Sequence, residues 1–112
     1  MARKRIEASV EASSGNVFAD LRIANAEEKH TKVRLAVAIN QIMENRQLSQ
    51  HAAARRLNVN QPKISALSNY RLEGFSVERL MNFLNALDQD IEIVIRRKPS
   101  YRKAARIQVT AA

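Results

Sequence analysis

The sequence predicts a mainly α protein: a compact helical bundle followed by one C-terminal β-strand. Three observations predict it. Apolar residues recur at helical spacing in two separate stretches, two short segments with their own capping residues lie between them, and isoleucines alternate at period two near the end. The length, 112 residues, is most simply one domain with tails. The domain is expected over residues 15–98, between a flexible basic N-terminal tail (1–14) and a basic C-terminal tail (99–112).

Residues 1–14 are polar and basic with no sustained period. Asn16 to Ile23 is expected to form a turn or short extended piece whose Phe18, Leu21 and Ile23 pack on the body. Asn25-Ala26-Glu27-Glu28 has the spacing of a capping box, with Glu28 reaching back to the Asn25 backbone. A long helix then runs to about Arg46 with Leu35, Ile39, Ile42 and Met43 on its buried stripe.

Two short helices follow, from about Gln50 to Leu57 and from about Gln61 to Asn69. Ser49 caps the first and Asn60 the second, because a short oxygen-bearing side chain satisfies the free N–H groups of a first turn. Asn58 stands at the bend, and asparagine tolerates the left-handed conformation best after glycine. Ala53 and Ala54 permit close approach, and Leu57, Val59, Ile64 and Leu67 form a shared apolar seam. Pro62 sits in a first turn, where there is no intrahelical N–H bond to lose. After the connector Tyr70–Gly74, Ser76 caps a last helix. Its Val77, Leu80, Met81, Leu84 and Leu87 repeat at helical spacing, and Phe75 staples against Leu80. Asp88 and Gln89 end it.

The period then changes. Ile91, Ile93 and Ile95 alternate within Asp90–Arg96, which signals a strand. Pro99-Ser100 breaks it, and a weaker alternation returns at Ile107-Gln108-Val109, possible material for a second strand. A lone strand needs partners for its backbone N–H and C=O groups. They can come from a hairpin with residues 106–110 or from the same strand of a second chain. We favour the second, a homodimer through Ile91, Ile93 and Ile95, with the hairpin able to form beside it.

Composition narrows the function classes. With no cysteine there is no disulfide framework and no thiolate metal site. No apolar run approaches the roughly 20 residues that span a bilayer, and the basic N-terminus lacks the apolar core of a signal peptide. A cytoplasmic protein is expected. The net charge of +8 points to an anionic partner, and no acidic residue occurs from Arg46 to Arg71. That basic stretch coincides with the two short helices, a helix-turn-helix that can lay its second helix in the major groove of double-stranded DNA.

Leu48-Ser49-Gln50, Ala53-Ala54, Leu57-Asn58-Val59-Asn60-Gln61, Ile64-Ser65 and Leu67 closely resemble the Xre/Cro-type helix-turn-helix, with Asn58 in place of the common glycine. The resemblance implies a lambda-repressor-like fold. Ser13–Phe18, Gln61–Ser65, Gly74-Phe75-Ser76 and Ile91–Ile95 are also similar to a subgroup resembling HigA-type antitoxins, which are often encoded beside a RelE/HigB-like toxin. This likeness covers residues 13–98. It implies a repressor that is the antitoxin of a type II toxin–antitoxin pair and regulates its own operon. A free-standing Xre-type regulator with no toxin partner is the alternative.

Base contacts are expected from Gln61, Pro62, Lys63 and Ser65, at the start of the second short helix. An amide such as Gln61 can bond adenine N6 and N7 together. Backbone contacts are expected from Gln50, Arg46, Asn69, Tyr70 and Arg71, which flank the pair of helices. The resemblance further implies that Gln50 bonds a phosphate and braces Gln61. Arg55 and Arg56 are placed equally well for DNA contact or for a solvated outer face. No catalytic, metal or cofactor site is expected. His30 and His51 fall on different helices without a nucleophile or carboxylate at a suggestive spacing, and Glu27-Glu28 is accounted for by the helix dipole.

Overall fold

Short polar side chains open three of the helices. The Ser49 hydroxyl accepts from the Ala52 N–H, the Asn60 Oδ1 from Lys63 N–H and the Ser76 hydroxyl from Arg79 N–H, each at 3.0 Å. The chain is described by a computed structural model over residues 14–111, with side chains from Asn25 onward. Four helices lie among these residues: α1 (Ser14–Asn45), α2 (Gln50–Leu57), α3 (Gln61–Ser68) and α4 (Val77–Ala86).

All four helices end in the same way, and none of them uses glycine. Gln47, Asn58, Tyr70 and Asp88 take positive φ of 53°, 58°, 58° and 68°. The N–H of each following residue reaches back five positions: Leu48 to Met43 O, Val59 to Ala54 O, Arg71 to Ala66 O and Gln89 to Leu84 O. These are Schellman ends, which satisfy carbonyls that a helix otherwise leaves bare. Asn58 is thus left-handed at the bend of the helix-turn-helix, and Asn is the least strained of the four residues in that conformation.

α1 begins earlier than the sequence suggested. Residues 16–23 are helical rather than a turn or extended piece, so Asn25 is an interior residue and no capping box forms there. The physical reason is propensity. Ala19, Leu21, Arg22, Ala24, Ala26 and Glu27 all favour helix, and no proline interrupts the run, so a capping residue inside it does not stop propagation. The expected packing of Phe18, Leu21 and Ile23 falls outside the described side chains, and the tail over residues 1–13 lies outside the described residues.

α1 packs mainly against α4, and α2 against α3. Leu35, Ala36, Ile39 and Met43 of α1 close on Ala53, Ala54 and Leu57 of α2, Ile64 and Leu67 of α3, and Leu80, Phe83 and Leu84 of α4. Leu72, Phe75 and Leu87 complete the core from the connectors. The Phe75 and Phe83 rings meet edge to face, with centroids 5.9 Å apart. Ile39, Leu67, Leu80 and Leu87 have no exposed surface, so truncating any of them leaves a void.

The chain beyond Gln89 is different in kind. Residues 89–99 form no helix and belong to no β-ladder among the described residues, so the strand expected at Asp90–Arg96 does not form within the single chain, which offers its backbone no neighbouring strand. A turn closed by Arg102 N–H donating to Pro99 O (3.2 Å) then reverses the direction. The returning segment touches the body again, where the Ile107 N–H donates to the Glu27 Oε1 at 3.2 Å and Val109 packs against the core. Ile91 packs there too, while Ile93, Val94 and Ile95 are 75%, 62% and 92% exposed.

Candidate nucleic-acid interface

The orientation of α3 follows from what lies behind it. Ile64 and Leu67 face the core with 1% and 0% exposure. Ala53 and Ala54 let α2 approach closely, since neither carries atoms beyond Cβ. The Asn40 side chain of α1 donates from Nδ2 to Leu67 O at 3.1 Å, which holds the last turn of α3 from the rear. Helical periodicity therefore turns Gln61, Pro62, Ser65 and Asn69 outward. Gln61, Pro62 and Asn69 are exposed, and Ser65 is half-buried.

Gln61 shares a shallow open cleft with His51, Arg55 and Asn58, at the junction of α2 and α3. Gln50, first residue of α2, is exposed, and among the described residues it makes no hydrogen bond to Gln61. Asn69 uses one amide N–H to hold Ser65 O at 2.9 Å, leaving a second N–H for an outside acceptor. Tyr70 is 44% exposed at its left-handed turn, and Arg71 beside it is exposed.

Two expected contacts are placed differently. Lys63 is half-buried and folds back over the 72–75 connector. Its Nζ donates to Gly74 O at 3.0 Å and lies 4.5 Å from the centroid of the Phe75 ring. A Cβ at position 74 would lie 3.0 Å from that ammonium, a tight contact that the flexible end of Lys63 would have to yield to. Arg46 turns away to the end of α4, where its Nη2 donates to Leu87 O at 2.7 Å and its Nη1 lies 3.8 Å from Asp88.

Arg56 joins Arg46 there. It donates from Nε to Ala86 O at 3.0 Å and from Nη2 to Asp88 Oδ2 at 2.8 Å. Two arginines thus cap the carbonyl end of α4, where positive charge opposes the helix dipole, and a single aspartate holds both. Of the five cations in the helix-turn-helix stretch, Arg46, Arg56 and Lys63 are engaged within the protein. Arg55 and Arg71 are exposed and form no ion pair among the described residues.

Sequence reasoning missed Asn40, Asp88 and Gly74. Asn40 carried a signal: with Ala36, Ile39 and Met43 it lies on the buried face of α1, where a polar residue needs a partner. Asp88 and Gly74 carried none, because their partners stand 32 or more and 11 positions away. His30 and His51 are exposed, on α1 and α2 respectively. Among the described residues no three His, Cys, Asp or Glu side chains are grouped to hold a metal, and no helix is long and apolar enough to cross a membrane.

Comparison with known proteins agrees with this geometry. A family model described as a helix-turn-helix domain matches residues 17–96. A solved structure named as an XRE family transcriptional regulator is similar at 67% sequence identity, with a TM-score of 0.76 over 79% of this chain and 99% of that one. No curated protein matches the chain. The chain belongs to the Xre-type helix-turn-helix family.

Proposed function

We propose that the chain is a sequence-specific double-stranded DNA-binding regulator of transcription, acting as a dimeric repressor. The observation that carries this reading is the exposed Gln61–Pro62 tip of α3, on a helix whose opposite side is sealed by Ile64 and Leu67. Set in a major groove, the Gln61 amide can accept from adenine N6 and donate to N7, Pro62 can meet a thymine methyl, and Ser65 can reach a base edge. Gln50, Asn69, Tyr70 and Arg71 clamp phosphates on either side and fix the register. Lys63 at a base edge and Arg46 at a phosphate complete the set, since each cation holds a backbone carbonyl of the free chain and keeps further N–H groups for DNA.

Selection of bound sequences from random duplex DNA tests the reading. The wild type enriches a recurring sequence, and Gln61→Ala relaxes the preference at one position at a cost of about 1–3 kcal/mol. An identical preference in the mutant removes Gln61 as a reader.

The dimer rests on the extension. Ile93 and Ile95 are exposed on a backbone segment with no ladder partner among the described residues, and a two-fold copy of residues 91–95 would supply one. Ile93→Lys should leave a monomer by mass measurement in solution. A mutant that stays dimeric contradicts strand pairing.

The finer reading is that this regulator is the antitoxin of a type II pair, repressing its own operon. It is supported by the resemblance of residues 13–98 to HigA-type proteins. A neighbouring reading frame for a small basic RelE/HigB-like protein that copurifies with the chain decides for it. The absence of such a neighbour decides for a free-standing regulator.

A further inference from the structure

The free positive charge of the described chain is concentrated away from the helix-turn-helix. Arg96, Arg97, Lys98, Arg102, Lys103 and Arg106 lie within eleven residues, and no acidic residue follows Glu92. None of the six forms an ion pair among the described residues. Lys98 alone is engaged, its Nζ donating to Pro99 O and Arg102 O, which braces the turn. Arg96, Arg97, Lys103 and Arg106 are exposed, and Tyr101 stands 86% exposed at the turn itself.

This segment is tethered at both ends. Ile91 packs on the core before it, and the Ile107–Glu27 hydrogen bond and Val109 hold the chain after it. The cations therefore sit on a loop closed onto the body, with its reversal at Pro99–Arg102 projecting between the two anchors. Closure limits the volume the loop explores, and so reduces the ordering cost of binding along an extended partner.

We propose that the loop 92–106 is a second DNA-binding element, which grips the phosphate backbone of duplex flanking the site read by α3. The proposal rests on the DNA-binding reading above and adds a division of labour to it. α3 supplies sequence preference with few free cations beside it, and the loop supplies sequence-independent attraction. A duplex backbone fits these residues because its phosphates repeat along an edge, and arginine forks and the Tyr101 hydroxyl donate to phosphate oxygens. A dimer presents two such loops.

The test uses the full chain with Arg96, Arg97, Lys103 and Arg106 all changed to Gln. These four are exposed and hold no other residue, so the thermal unfolding profile should match the wild type. Affinity for the selected duplex and for an unrelated duplex is measured between about 50 and 200 mM salt, the range over which phosphate contacts weaken strongly. Each lost phosphate contact removes about 0.9 unit of log–log slope, so the slope should fall by roughly three to four units for each engaged protomer. The ratio of specific to non-specific affinity should be retained. A fall of two units or more supports the proposal, and a smaller fall overturns it. A double variant, Arg96→Gln with Arg97→Gln, covers the case in which the fourfold one unfolds. It should lose about half as much slope, and no loss overturns the proposal. If the wild type has no sequence preference yet the slope still falls, the reading of α3 fails and the loop assignment stands. A preference with no loop-dependent slope reverses that outcome, and binding of the loop to an acidic protein in place of DNA would then explain its charge.

Discussion

The body from Thr31 to Gln89 and the extension from Asp90 onward solve the same problem in opposite ways. In the body every helix end is closed by local bonds, the apolar faces meet one another, and three of the five cations in the helix-turn-helix stretch rest on carbonyls of the same chain. Among the described residues of the extension the backbone joins no helix or ladder, Ile93 and Ile95 are exposed, and the cations are unpaired. Among the described residues the extension presents unmet groups of three kinds, apolar, backbone and charged. The proposed second copy would answer the first two, and the proposed duplex contact the third.

The largest expected effect separates these regions by stability. Leu67→Ala removes a side chain with no exposed surface from the centre of the core and should destabilise the protein by about 2–5 kcal/mol in denaturant unfolding. The same truncation logic applied to Ile95, 92% exposed, should cost the monomer under about 0.5 kcal/mol. Similar losses at the two positions would mean that the extension is packed in solution and the contrast is false.

A smaller effect sharpens the contrast at a single cap. Asn60→Ala removes the acceptor for the Lys63 N–H at the start of α3 and should cost about 1 kcal/mol. Asn60→Gly should cost only a few tenths. Equal losses for the two would show that the cap hydrogen bond is not what begins the reading helix.

How much was legible in the sequence follows the range of the interactions. Caps at Ser49, Asn60 and Ser76 join residues three apart, so residue type and spacing are enough to place them. The left-handed Asn58 and the seam of Leu57, Ile64 and Leu67 are equally local, and the helix-turn-helix was readable from them. The engagement of Lys63 by Gly74 and of Arg46 and Arg56 by Asp88 was not. Those pairs form only once the connector has folded back over α3 and α1 and α2 have packed on α4, and a basic residue looks the same in sequence whether it ends on a carbonyl or on a phosphate. The start of α1 was misplaced for a related reason. A capping residue is a permission, and Asn25 lies inside a run that already favours helix.

The outward tip of α3 is the part on which the functional account turns. Its most direct test is the affinity of the purified chain for its best selected duplex, divided by its affinity for unrelated duplex of equal length at the same salt. A sequence-reading helix predicts a ratio of about 1,000 or more. A ratio near one, with binding abolished by modest salt, would leave only charge attraction and would contradict the account.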